Sequence, residues 1–238
     1  MLSGACNPTL CGQFPEIHFF RVGTRNGSVY AFVVATGQLR WRHQTGGPVI
    51  TSPATSSPTD TLAAIWVGSW DRTLYKLDRA TGAALASVTF ETELRAAPAV
   101  FQVSSGGGNG TERLYFSLGN SHICVESTGL VASVLWRHNT TAFAYGVPAV
   151  SADGKAVFFP PSGDRLAWAR DSESGAMLWS AHAGCPDCDS TGSKSGVFSQ
   201  DGAIYYVIGR MNAGNGECGF SAFNVAHGTL ARHLRHWV

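Results

Sequence analysis

Residues 169–179 read Ala-Arg-Asp-Ser-Glu-Ser-Gly-Ala-Met-Leu-Trp, which joins the end of an apolar strand to a Ser-Gly turn and a Leu-Trp pair. The same pattern returns along the chain, most clearly at the turn. The five turns are Thr36-Gly37, Thr81-Gly82, Thr128-Gly129, Ser174-Gly175 and His227-Gly228. Their glycines are separated by 45, 47, 46 and 53 residues. A near-constant period of this length indicates a repeat architecture.

Each repeat unit predicts a small antiparallel sheet. Asn26-Gly27 separates two apolar strands and favours a tight hairpin, because both residues tolerate a positive φ. One such sheet cannot bury both of its faces, whereas sheets stacked side by side can. The sequence therefore predicts an all-β fold, a β-propeller of about five four-stranded antiparallel blades. A β-sandwich with coincidental turn spacing is the alternative.

The repeat also predicts how the chain is divided. Residues 1–16 are expected to form an irregular N-terminal segment and residues 17–238 the propeller, with blades at 17–47, 48–93, 94–142, 143–184 and 195–238. A Pro-Ala strand opens the second, third and fourth units, but nothing equivalent precedes the first. The propeller is thus expected to be incomplete or part of a larger ring, with two sheet edges open for pairing.

The repeat resembles the pyrroloquinoline-quinone (PQQ)-like β-propeller repeat, of the quinoprotein alcohol dehydrogenase-like superfamily. In that family an Ala-x-Asp-x-x-Thr-Gly-x-x-x-Trp segment buries its tryptophan between adjacent blades. Residues 169–179 match it nearly throughout, and the other copies keep parts of it. The resemblance implies that nine positions dock the blades: Trp41, Gly37, Gly82, Trp136, Gly129, Asp171, Gly175, Trp179 and Gly228.

The resemblance is specific for the repeat and says little about activity. Many relatives bind no quinone and are similar to a bacterial outer-membrane assembly lipoprotein or to the propeller tail of an acyl-CoA-synthetase-like enzyme. We therefore expect a non-catalytic binding or assembly scaffold without a cofactor, and no catalytic, cofactor-binding or metal-binding residue is assigned. The alternatives are an alcohol dehydrogenase-like oxidoreductase that uses PQQ and Ca²⁺, and an accessory domain of a larger acyl-CoA-synthetase-like enzyme.

Binding residues of a propeller are expected on its loops, which the rigid sheets hold in place. The loop Trp70-Asp71-Arg72 is the first candidate for contact with a partner. The expected partner is another protein or additional propeller blades.

Two pairs of cysteines are close in sequence, Cys6 with Cys11 and Cys185 with Cys188. Loop disulfides or free thiols are the expected interpretation. Four thiolates could instead hold Zn²⁺. A redox site is the third alternative, but no helix is predicted nearby to lower the pKa of a thiol.

Composition excludes several classes of protein. The chain of 238 residues is 44% hydrophobic and 14% charged, with a net charge of +1, which is not the composition of a disordered chain. It has neither the basic stripe of a nucleic-acid-binding protein nor 18 consecutive apolar residues, so no nucleic-acid partner and no membrane span are expected.

Residues 1–14 do not resemble a signal peptide. Three Asn-x-Ser/Thr sites slightly favour an extracytoplasmic or secreted location if the N-terminus is incomplete; otherwise the cytoplasm is expected.

Overall fold

The structure is a computed structural model that describes residues 19–55, 64–103, 110–144, 146–161, 163–182, 195–210 and 218–236. Every regular element in these ranges is a β-strand. The strands form one three-stranded and four four-stranded sheets, all antiparallel, and within each sheet neighbouring strands are consecutive in the chain. The predicted all-β fold is confirmed.

The nineteen strands are numbered in chain order. Sheet 1 contains β1 (Phe19–Gly23), β2 (Ser28–Val33) and β3 (Leu39–Gln44); sheet 2 contains β4 (Ala54–Thr55), β5 (Ala64–Gly68), β6 (Thr73–Asp78) and β7 (Ala84–Thr89); sheet 3 contains β8 (Ala99–Val103), β9 (Thr111–Leu118), β10 (Ser121–Thr128) and β11 (Val131–Asn139); sheet 4 contains β12 (Ala149–Val150), β13 (Ala156–Phe159), β14 (Leu166–Asp171) and β15 (Met177–His182); sheet 5 contains β16 (Gly196–Phe198), β17 (Ile204–Arg210), β18 (Cys218–Asn224) and β19 (Leu230–His236).

Consecutive sheets are arranged radially. Strand β8 contacts both β4 and β12, the first strands of the two adjacent sheets, and a parallel bridge between Val147 and Ser195 continues this inner layer toward sheet 5. The last strands β7 and β11 contact each other at the periphery. Strands β4, β8 and β12 each begin at the alanine of a Pro-Ala pair, where the missing N–H of the proline interrupts no strand pairing.

The recurrent turn between the third and fourth strands has a local cause. In sheet 2 the Asp78 carboxylate accepts hydrogen bonds from the backbone N–H groups of Ala80 and Thr81 and from the Thr81 hydroxyl. Gly82 then takes a φ of 73°, a backbone conformation that costs glycine little. Asp171 closes the corresponding turn of sheet 4 in the same way. The pattern Asp-x-x-Thr/Ser-Gly therefore specifies this turn.

The hydrophobic core lies in the four seams between consecutive sheets. Val29 and Ile65 belong to the cluster between sheets 1 and 2, and Phe158 and Tyr205 to the cluster between sheets 4 and 5. Each of the intervening seams has a cluster of its own. The sheets are therefore held together by pairwise burial, as expected for a repeat protein.

Candidate functional site

Tryptophans dock the sheets in three of the four seams. Each indole is nine-tenths buried, and its Nε1 donates a hydrogen bond to a carbonyl in the turn of the next sheet. The pairs are Trp41 with the Arg79 carbonyl (3.1 Å), Trp136 with the Ser172 carbonyl (3.1 Å) and Trp179 with the Val225 carbonyl (2.8 Å). The accepting residue always directly follows the Asp or Asn that begins the turn.

The turn glycines complete this docking. A Cβ added at Gly82, Gly175 or Gly228 would lie 2.5, 2.6 or 2.4 Å from an indole atom of the preceding sheet. Glycine is thus required at these three positions for two reasons, the close approach of the indole and the positive φ of the backbone. Gly37 has the same kind of φ, 68°, but no atom of the part of the chain that the structure describes lies within 4 Å of its added Cβ.

The seam between sheets 2 and 3 is docked differently, and sequence analysis did not identify how. The buried ammonium of Lys76 donates to the Gly129 carbonyl at 3.1 Å and pairs with Glu112 at 3.3 Å. Trp66 donates its indole N–H to the same carboxylate at 3.1 Å. The sequence does contain a signal for this docking. Position 76 of the apolar strand β6 is lysine, whereas the equivalent positions of the other sheets are alanine or cysteine.

One end of the strands forms what we call the loop surface, made of hairpins 24–27, 69–72, 119–120 and 163–165 and connections 45–53, 90–98 and 140–144. In an up-and-down sheet, second-to-third hairpins and connections to the next sheet lie at the same end. Hydrogen bonds from the Val49 N–H to the Thr24 carbonyl and from the Trp70 N–H to the Pro48 carbonyl join these loops. The Thr-Gly turns lie at the opposite end.

The predicted partner loop lies on this loop surface, but its members differ in availability. The Asp71 carboxylate accepts hydrogen bonds from the N–H groups of Gly46 (2.7 Å) and Thr73 (3.0 Å) and from the Tyr75 hydroxyl (2.7 Å). It therefore ties sheet 2 to the connection that precedes it. Burial, assisted by this carboxylate, raises the pKa of Tyr75. Arg72 is exposed and has a φ of 73°.

Trp70 lines a pocket of about 590 Å³, whose other lining residues are Gly23, Arg25, Pro48, Val49 and Ile50. Its Nε1 is buried and has no hydrogen-bond partner among the described residues. The Arg95 guanidinium lies 4.7 Å from the centre of the indole, and Ile50 is 47% exposed.

A second pocket adjoins the first through Arg95. It measures about 240 Å³ and is lined by Thr92, Glu93, Arg95, Ser117, Gly119, Phe143 and Ala144. Arg95 pairs with Glu93 at 2.7 Å. We refer to the two pockets together as the groove of the loop surface.

A buried histidine lies between sheets 3 and 4. His122 stacks on Phe159 with ring centres 3.7 Å apart, and its Nδ1 accepts a hydrogen bond from Arg170 at 3.1 Å. Burial, with the nearby charges of Arg170 and His138, lowers the pKa of His122 well below its ordinary value. The neutral ring therefore serves as an acceptor within the core.

The cysteines give little chemistry in the described part of the chain. The predicted pairs Cys6–Cys11 and Cys185–Cys188 lie outside the described residues. Cys124 is a buried free thiol, and burial raises its pKa to about 12, which keeps it protonated.

Among the described residues, no three His, Cys, Asp or Glu side chains are grouped so that they could hold a metal ion. No helix there is long and apolar enough to cross a membrane.

Comparisons with known proteins add information on the fold. No protein-family model matches the chain, and no curated protein matches its sequence. Similar solved structures include BamB from Moraxella catarrhalis (TM-score 0.59, 16% identity, 92% of this chain and 71% of that chain). They also include the computationally designed protein Ika8 (0.63, 16%, 93% and 59%). A third is Chaetomium thermophilum Sqt1, bound to the N-terminus of the ribosomal protein L10 (0.66, 17%, 90% and 57%).

These similarities show the fold. The chain is a β-propeller, as its repeat predicts, and it spans less than two thirds of the length of two of these three neighbours. The finer assignment to the PQQ-like repeat rests on the sequence motif.

Proposed function

We propose that the protein is a non-catalytic binding scaffold and that an extended segment of a partner protein docks in the groove of the loop surface. The observation that carries this proposal is Trp70, which lines an open pocket and whose buried Nε1 has no hydrogen-bond partner among the described residues. A buried donor without an acceptor costs about 1–3 kcal/mol. A bound segment that supplies an acceptor removes this penalty and gains affinity.

The lining residues define the segment that fits. Ile50 and the indole of Trp70 suit one apolar side chain. Arg25, at the rim of the same pocket, favours a carboxylate next to it, which can also accept the indole N–H. The partner is therefore an extended peptide with an apolar residue flanked by an acidic one or by its own C-terminal carboxylate. A neighbour with the same fold, Sqt1, binds the terminus of another protein, which supports this mode.

A library of displayed dodecapeptides selected on the full chain tests the proposal. We expect selected peptides to carry the apolar–acidic pair and to lose affinity about tenfold on Ile50→Asp, because each tenfold loss corresponds to about 1.4 kcal/mol. Trp70→Phe keeps an aromatic ring but removes the pyrrole portion of the indole with its N–H donor, and it is expected to weaken binding severalfold. Leu39→Asp is the matched control, since Leu39 is also half-exposed but lies in β3 next to the Thr-Gly turn, outside the groove.

Two results would contradict the proposal. One is the recovery of peptides whose affinity is the same for Ile50→Asp, Trp70→Phe and Leu39→Asp. The other is an absorbance band, or reduction of a dye with alcohols, after addition of PQQ and Ca²⁺ to the full chain. That second result would instead favour the alternative of a quinone-dependent oxidoreductase.

A further inference from the structure

The Thr36-Gly37 turn of sheet 1 repeats the docking geometry of the other sheets, but no indole of the described residues lies against it. The φ of Gly37 is 68°, compared with 73°, 71° and 69° at Gly82, Gly175 and Gly228. Val34 corresponds by register to the residues whose carbonyls accept an indole N–H. Its side chain is 61% exposed, and no described residue donates a hydrogen bond to its carbonyl.

The outward face of sheet 1 is aromatic. Phe20 and Phe32 lie opposite each other on β1 and β2, and Phe32 stacks on Tyr30 with ring centres 6.0 Å apart. Because side chains alternate along a strand, these rings point away from the core that Val29 and Ala31 form with sheet 2. Phe20 is 61% exposed. This exposed face therefore has the aromatic character of a sheet face that packs against another sheet in a seam.

The size of the ring points the same way. Five sheets that span between 57% and 71% of a similar propeller correspond to a complete ring of about seven to nine sheets. Each of the four core clusters of the described residues joins two consecutive sheets, and none joins sheet 1 to sheet 5. The five sheets are thus an arc, and sheet 1 is one of its ends.

We propose that this end docks a further blade of a larger ring, and that the outer strand of this blade carries a tryptophan. Its indole packs on Gly37 and donates its N–H to the Val34 carbonyl, as Trp41 does to sheet 2. A second copy of the chain is a poorer occupant, because β19 at the opposite end has Arg232 opposite Ala222, where the docking sheets have tryptophan. This proposal does not depend on the groove of the loop surface.

A blade grafted onto the chain tests whether sheet 1 docks a further blade. The full chain is extended at its N-terminus by a second copy of residues 143–184, which carries the tryptophan of position 179. We expect the graft to raise the midpoint of thermal unfolding, and Trp→Ala within the graft to cancel the gain. In the grafted chain, Gly37→Ala is expected to lower the folding equilibrium constant about tenfold more than in the original chain, because the added Cβ meets the indole.

Gly202→Ala is the matched control, because Gly202 also has a positive φ and nothing within 4 Å of its added Cβ. It is expected to cost the same with and without the graft. The proposal is overturned if the grafted tryptophan has no effect, or if the loss from Gly37→Ala is the same in both chains.

Phe20→Asp in the original chain keeps the proposal testable if the graft does not fold. On an open face this change leaves the folding equilibrium constant within about twofold, as for other surface substitutions. A tenfold or larger loss would show that sheet 1 is already covered within the chain and would overturn the proposal. Concentration-dependent dimerisation that Phe20→Asp abolishes would assign the face to a second copy and would also overturn it.

Discussion

Lys76 on β6 lies directly opposite Ala86 on β7, so the large side chain of this seam comes from the central strand and the small one from the outer strand. Sheets 1 and 4 have the reverse arrangement, with Ala31 opposite Trp41 and Ala169 opposite Trp179. Either arrangement places one long side chain with an N–H donor against the turn of the next sheet. Lys76 therefore takes the role of the tryptophan that position 86 lacks, although it lies on the adjacent strand.

Lys76→Met is expected to destabilise the protein by about 3–5 kcal/mol, because it leaves the buried Glu112 carboxylate without its cation. The double variant Lys76→Met/Glu112→Gln should regain most of this loss, since the neutral amide still accepts the Trp66 N–H. Urea unfolding of the three proteins measures both effects.

The control for Lys76→Met is Lys155→Met, which removes an exposed lysine. We expect it to change the free energy of unfolding by less than about 0.5 kcal/mol. Equal effects at the two positions, or no recovery in the double variant, would show that the ion pair does not hold this seam.

Gly82→Ala is expected to cost more than Gly202→Ala, although both glycines have a positive φ, 73° and 72°. The backbone penalty is about 1–2 kcal/mol at each. At Gly82 the new Cβ also meets Trp41, which adds about 1–3 kcal/mol of overpacking. Chemical denaturation gives the difference, and Trp41→Ala combined with Gly82→Ala should remove it. A difference that persists without the indole would contradict the docking geometry.

The repeat, the turns and the tryptophans could be predicted because each depends on local chemistry that recurs with a fixed period. Lys76 could not be identified, because its partners Glu112 and Gly129 are 36 and 53 positions away in the chain and meet it only once the sheets stack. Asp71 was predicted to be part of a partner loop. Its hydrogen bond to Gly46 depends on how sheet 1 connects to sheet 2, which no spacing in the sequence reveals.

Arg72→Gly is expected to stabilise the protein by about 0.5–1 kcal/mol. Arg72 has a φ of 73°, which strains any residue with a Cβ, and its side chain is exposed. Its carbonyl still accepts the Phe90 N–H after the change. Arg72→Ala keeps the strain and is the control, expected to be nearly neutral. Urea midpoints that rank alanine above glycine would contradict this explanation.

Stability is expected to fall as the pH falls below about 6.5, because His122 stays neutral in the folded chain. Burial and the charge of Arg170 lower the pKa of His122, whereas the unfolded imidazole keeps its ordinary value of about 6.5. Below that pH the unfolded chain binds a proton that the folded chain does not, so the free energy of unfolding decreases by up to about 1.4 kcal/mol per pH unit.

His122→Asn retains an acceptor for Arg170 and does not titrate, so its unfolding free energy should depend less on pH between 4.5 and 7. His182→Asn, at an exposed histidine, should keep the pH dependence of the original chain. Urea unfolding at each pH measures the slopes, and an unchanged slope in His122→Asn would show that another group causes the acid sensitivity.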